Sequence, residues 1–62
     1  MQQWEYIIVY GGITRPWIVE AAHGKESLGE MAEVEMMNKL GQQGWELIAV
    51  SNRYYFRRPK SG

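Results

Sequence analysis

A ten-residue segment, Gly41–Val50 (GQQGWELIAV), constrains the fold more than any other part of this sequence. The segment before it, Glu30–Leu40, is rich in Ala, Leu, Met, Glu and Lys, which favour a helix. Gly44 stands where a helix C-terminus commonly needs positive φ, and Gly41 would allow the last turn to approach a sheet closely. Trp45–Val50 is apolar and too short for a helix. The sequence therefore predicts a helix that ends at glycine and leads into a buried strand.

The N-terminal third of the chain has the pattern of a β-hairpin. Gln2–Tyr10 is rich in β-branched and aromatic residues and predicts a strand. Gly11–Gly12 is a two-residue turn signal, and Ile13–Ala22 is expected to return as the second strand. Pro16 has no amide donor, so this strand should lie at a sheet edge or carry a bulge there. We expect His23–Glu26 to form a polar loop.

Ser27 and Glu30 have the spacing of a capping box, which predicts a helix from near Leu28 to about Gln43. A second hairpin should follow, formed by Trp45–Ser51, a turn near Asn52, and Arg53–Arg58. These elements predict a single α+β domain over residues 1–62 with the order ββαββ. Its antiparallel four-stranded sheet would carry one helix on one face.

Apolar residues occupy both faces of the predicted strands, although one helix can cover only one face. We expect the core to contain Tyr6, Ile8, Val34, Met37, Leu40, Trp45, Leu47 and Phe56. Glu33 falls among the apolar residues of the helix, where it would reach the rim, pair with an arginine of the last strand, or contact a ligand or a second subunit. A 62-residue chain without cysteine has a small core and no disulfides. The sequence therefore predicts a homo-oligomer, at least a dimer.

Charge and composition exclude several classes of protein. Seven basic and seven acidic residues cancel, which argues against binding to duplex DNA, although Arg53–Lys60 forms a local basic cluster. No segment has the length of a membrane span, and no signal-peptide pattern is present, so we expect a cytoplasmic protein without membrane contact. A single histidine and no cysteine give little basis for a metal site. We expect no cofactor.

Catalytic motifs are missing from the sequence. No Ser-His-Asp or Cys-His set, P-loop, GxGxxG or HExxH pattern occurs. Glu5 and Glu46 could approach each other on adjacent strands as an acid/base pair. We expect them instead to pair with Arg57 or Arg58 across the sheet. The prediction is a protein that is not an enzyme.

Arginine and aromatic residues alternate in two segments, which suggests a binding site for a small nucleotide or a short single strand. Aromatic rings stack on bases, and guanidinium groups bind phosphate oxygens in bidentate fashion. Trp17 could equally belong to the core or form an exposed stacking platform. The predicted ligand site consists of Tyr10 and Trp17, which would stack on a base, and of Arg15, Arg53 and Arg57, which would hold phosphate.

Three motifs, Trp4-Glu5-Tyr6, LGxxGWEL at 40–47 and YYFRRP at 54–59, together resemble the bacterial and phage family called domain of unknown function 4177. That resemblance implies a fold more than a function. In size and style the chain also resembles phage anti-CBASS sponges, small oligomers that sequester cyclic nucleotide signals of antiviral defence. The second resemblance implies a sponge that holds a cyclic dinucleotide between subunits, in the host cytoplasm if phage-encoded. The alternative is a protein-interaction or structural adaptor that docks a partner chain through exposed aromatic residues.

Overall fold

The computed structural model describes residues 1–12 and 14–60. Its elements, in chain order, are β1 (Trp4–Gly12), β2 (Arg15–Ala21), β3 (Gly24–Gly29), α1 (Glu33–Gly41), β4 (Glu46–Ser51) and β5 (Arg53–Pro59). All strand pairs are antiparallel and form one sheet in the order β3-β2-β1-β5-β4. The fold is α+β as predicted. The order is βββαββ with five strands, so the predicted four-stranded sheet is wrong.

The additional strand is β3, which replaces the predicted loop at His23–Glu26 and the predicted capping box. Ser27 lies within β3, paired with Ile18 of β2, and its hydroxyl accepts a hydrogen bond from the Gly29 amide at 3.1 Å. The ladder to β2 satisfies backbone groups that a loop would leave to solvent. Helix α1 therefore begins only at Glu33, and its N-cap residue makes no side-chain capping bond.

The first hairpin turns later than predicted, because Gly11 and Gly12 belong to β1. Gly11 has φ of +124°, and a Cβ atom there would lie 2.5 Å from the Pro16 carbonyl oxygen. The register of β1 and β2 shifts between Tyr10 and Gly12, so the predicted bulge near Pro16 is confirmed. The predicted edge position is wrong, because β2 lies between β1 and β3. Ile13, where the second strand was expected to begin, lies outside the described residues.

The second hairpin and the helix end agree with the sequence. Gly44 has φ of +90°, its amide donates to the Gly41 carbonyl at 3.0 Å, and the Trp45 amide donates to the Leu40 carbonyl at 3.1 Å. The turn residue Asn52 has φ of +22°. A close approach at Gly41 is not observed, since a Cβ atom there would meet nothing within 4 Å.

On β1, helix α1 covers the face opposite to the one that the predicted core residues Tyr6 and Ile8 occupy. The core consists of Ile7, Val9, Trp17, Val19, Met36, Leu40 and Phe56. The predicted core positions of Leu40 and Phe56 are confirmed. Met37, Trp45 and Leu47, also predicted in the core, are partly buried and pack against it. The core assignment is wrong for Tyr6 and Val34, which have 57% and 67% of their surface exposed. It is also wrong for Ile8, which is half-buried on the other side of the sheet. Both faces of β1 are apolar, so alternation alone does not identify the covered one.

The described residues include no helix that is long and apolar enough to cross a membrane.

Candidate functional site

The sheet face opposite α1 has no element covering it among the described residues, and we call it the open face. Side chains alternate along a strand, and residues that pair across antiparallel strands point to the same side. Tyr6 pairs with Arg57, Ile8 with Tyr55 and Tyr10 with Ile18. From this register the open face carries Trp4, Tyr6, Ile8, Tyr10, Arg15, Ile18, Glu20, Lys25, Ser27, Glu46, Ala49, Ser51, Arg53, Tyr55, Arg57 and Pro59.

One end of the open face holds an arginine stacked on a tyrosine. The Arg53 guanidinium carbon lies 4.9 Å from the centre of the Tyr10 ring. Among the described residues Arg53 has no carboxylate within salt-bridge distance, so its charge is available to an anion. Arg15 pairs with Gly12, two residues beyond Tyr10 on β1, which places Arg15 on the same face. Three of the five predicted site residues therefore lie together at this end.

The other end of the open face repeats the arrangement with Arg57. Its guanidinium carbon lies 4.1 Å from the centre of the Trp4 ring, and its Nε atom donates to the Glu46 carboxylate at 3.2 Å. Arg53 and Arg57 are four residues apart on β5, a Cα separation of about 13 Å. Arg57 is therefore on the predicted face but distant from Tyr10, and part of its charge is compensated by Glu46.

Two tyrosines lie beside these arginines on the open face: Tyr55 lies between Arg53 and Arg57 on β5, and Tyr6 pairs with Arg57 from β1. Tyr6 is 57% exposed, and Tyr55 is half-buried against its neighbours. An exposed aromatic ring on a sheet offers a flat stacking surface for a base. The predicted site included neither tyrosine, and Tyr6 was assigned to the core. For Tyr55 the available signal was its alternation with Arg53 and Arg57 on β5.

The prediction that Trp17 belongs to the ligand site is wrong. Its side chain is 3% exposed, its Nε1–H donates to the Met31 carbonyl at 2.9 Å, and its ring meets Tyr54 edge-on at 5.7 Å between centroids. Trp17 lies two residues before Val19 and is buried on the same α1 side of the sheet, away from Tyr10. Stacking of a base on Trp17 is therefore excluded in this conformation.

The helix side of the sheet holds a third arginine–aromatic pair with a structural role. Arg58 stacks on Trp45 at 4.2 Å, donates from Nε to Glu5 at 2.8 Å and from Nη1 to the Gln43 carbonyl at 2.9 Å. The predicted pairing of Glu5 and Glu46 with these arginines is confirmed. Because Arg57 and Arg58 are adjacent on β5, Glu5 and Glu46 lie on opposite faces of the sheet and cannot act together as an acid/base pair.

Glu33, at the first turn of α1, accepts a hydrogen bond from the Tyr54 hydroxyl. It contacts the last strand through a tyrosine, so the predicted alternative of a pairing with an arginine of that strand is wrong. The pKa of Tyr54 is raised above its usual value of 10.0, mainly because the hydroxyl donates a hydrogen bond to Glu33, then because of burial, and then because of the negative charge of Glu33. The contact ties the start of α1 to β5.

No group of three His, Asp or Glu side chains within residues 1–12 and 14–60 is arranged to hold a metal ion. Comparisons of the chain with protein-family models, curated proteins and solved structures found no match. The resemblance to domain of unknown function 4177 stays a prediction that rests on the three sequence motifs.

Proposed function

We propose that the protein is a non-enzymatic binding protein that sequesters a cyclic dinucleotide between two copies of its open face. The observation that supports this most is the combination of an exposed ring, Tyr6, with two arginines already held over aromatic rings. Bases would stack on Tyr6 and Tyr55. Phosphate oxygens would bind Arg53 at one end, assisted by Arg15, and Arg57 at the other.

A second copy completes the site in this proposal. An uncovered sheet face that carries four aromatic rings and two isoleucines is a large apolar surface for a monomer of 62 residues. Two copies related by a twofold axis would each contribute the same rings and arginines. A ligand with two bases and two phosphates matches that symmetry better than a mononucleotide, and the resemblance to phage sponges points the same way. A cytoplasmic location is part of the proposal.

Binding without turnover is favoured by the chemistry of the open face. Guanidinium groups remain protonated and cannot act as general bases at neutral pH. Glu46, the carboxylate in contact with Arg57, is engaged in an ion pair with it. The face supplies stacking and charge, which are the requirements of sequestration.

Isothermal titration calorimetry tests the proposal with cyclic di-AMP, cyclic di-GMP, AMP, adenosine and pyrophosphate as separate ligands. We expect a cyclic dinucleotide to bind with one ligand per two chains, and adenosine and pyrophosphate to bind at least tenfold more weakly. Arg53→Ala should weaken binding by about 1.5–3 kcal/mol, the contribution of a hydrogen bond to a charged group. Lys39→Ala, a matched loss of one cation on α1, should leave affinity unchanged. Absence of binding, or equal losses in the two variants, would contradict the proposal.

A second candidate, a protein-interaction adaptor, is favoured by strand β4. It is an edge strand, and Ile48 and Val50 on it are 45% and 60% exposed. A partner chain could add a strand to such an edge. Val50→Lys would abolish adaptor binding and leave nucleotide affinity intact, whereas Arg53→Ala would do the reverse.

A further inference from the structure

A groove lies on the α1 side of the sheet, between the C-terminal half of the helix and the β2–β3 hairpin. Its volume is about 760 Å³, within the range of small-molecule sites. The helix residues Lys39 and Leu40 line the groove together with Ala21 of β2 and with Glu26 and Leu28 of β3.

The floor of the groove is aliphatic. Ile7, Val19 and Leu40 contribute buried side chains, and Leu28 on β3 is half-buried beside them. None of these side chains has a polar atom, so a sugar or a hydrated ion would lose hydrogen bonds on this floor. The floor therefore suits a hydrocarbon or aromatic body.

The groove lining includes cations. Lys39 of α1 and Lys60, which follows β5, both line the groove, are exposed, and have no carboxylate within salt-bridge distance among the described residues. Arg58 adds a guanidinium whose Nη2 group is not used in the bonds to Glu5 and Gln43. The two acidic side chains in the lining are Glu5, neutralised by Arg58, and Glu26 on the opposite wall. A negative group is therefore favoured beside α1, with the apolar body directed toward β3.

We propose that this groove binds a small organic anion with an apolar body, such as a medium-chain carboxylate or an aromatic acid. The site uses different cations from the proposed nucleotide site, because Lys39, Arg58 and Lys60 do not belong to the open face. Trp4 and Tyr6 line the groove and also belong to the open face, so they do not distinguish the two sites. Arg53 does, since it is distant from the groove lining.

Fluorescence titration with anilinonaphthalene sulfonate tests the proposal, followed by competition with dodecanoate and with dodecyltrimethylammonium. We expect one dye per chain, displacement by dodecanoate, and at least tenfold weaker competition by the cationic analogue. Ala21→Phe, at an exposed position that lines the groove, should fill it and weaken dye binding at least tenfold. The double variant Lys39→Glu, Lys60→Glu should weaken it about fivefold or more while its circular dichroism spectrum stays that of the parent.

Matched controls separate this site from other apolar surfaces. Lys25→Glu changes a lysine that does not line the groove, and Arg53→Ala changes the open face; each should leave dye affinity within twofold of the parent. If Arg53→Ala weakens dye binding as much as Ala21→Phe does, or if the double charge reversal has no effect, the proposal is wrong. Neither result tests the proposed nucleotide site, which the calorimetric titrations test separately.

Discussion

Replacement of Trp17 by alanine should unfold the protein or bring it close to unfolding. Trp17 is 3% exposed, and its Nε1–H bond to the Met31 carbonyl connects β2 to the segment that leads into α1. Truncation of a buried tryptophan to alanine costs about 3–5 kcal/mol. A 62-residue domain has a total stability of about 3–9 kcal/mol at typical values per residue. The substitution therefore removes a large part or all of the folding free energy.

Trp17→Phe gives a graded measurement on a protein that stays folded. It keeps an aromatic ring against Tyr54 but leaves the Met31 carbonyl without its donor, and we expect a loss of about 1–3 kcal/mol. Urea denaturation followed by far-ultraviolet circular dichroism measures both variants. Trp4→Ala is the matched control, because Trp4 is 36% exposed on the open face and should cost much less. A Trp17→Ala protein that unfolds at the same urea concentration as the parent would refute the placement of Trp17 in the core.

Three further predictions concern backbone strain, pH and the Arg58 contacts. Gly11→Ala should destabilise the protein by more than about 2 kcal/mol, because φ at Gly11 is positive and the new Cβ atom would clash with backbone atoms. Gly12→Ala should change stability by less than about 1 kcal/mol, because the space around Gly12 is open. Thermal denaturation compares the two variants. The folded state raises the pKa of Tyr54, so its contact with Glu33 stabilises the protein below about pH 10 and is lost as the pH rises further. Tyr54→Phe or Glu33→Gln should therefore flatten the loss of stability above pH 10 in urea titrations, and an unchanged slope would contradict this. Arg58→Ala should cost about 1–2 kcal/mol and Arg58→Lys nearly as much, because lysine cannot keep the stack and both hydrogen bonds; full recovery of the melting temperature by lysine would contradict that account.

The parts of the fold that local sequence signals determine were predictable. Gly44 and Asn52 stop and turn the chain through their own backbone preferences, and the strands on either side of Asn52 follow from their composition. Strand β3 was not predictable in this way, because GKESLG contains weak strand formers and owes its extended form to pairing with β2. The spacing of Ser27 and Glu30 also matched a capping box, although Ser27 lies in the strand. Tertiary pairing overrode the local signal.

For the candidate site, the sequence predicted only which residues of one strand share a face, because side chains alternate along a strand. Arg53 and Arg57 share one face of β5 in any register, so their place on the same side of the sheet follows from spacing. Which face α1 covers depends on packing among distant strands, and this decides whether Tyr6 or Ile7 is buried. Because α1 covers the face that carries Ile7, Tyr6 lies on the open face and Trp17 lies in the core.

The central claim, that the open face is the binding surface, is tested most directly by amide chemical-shift changes in the ¹⁵N-labelled protein during titration with a cyclic dinucleotide. We predict the largest changes on β1 and β5 at Tyr6, Tyr10, Arg53, Tyr55 and Arg57, with much smaller changes at the α1 residues Met36 and Leu40, which lie beneath the opposite face. Changes confined to α1 and the groove, or no change at saturating ligand, would contradict the claim.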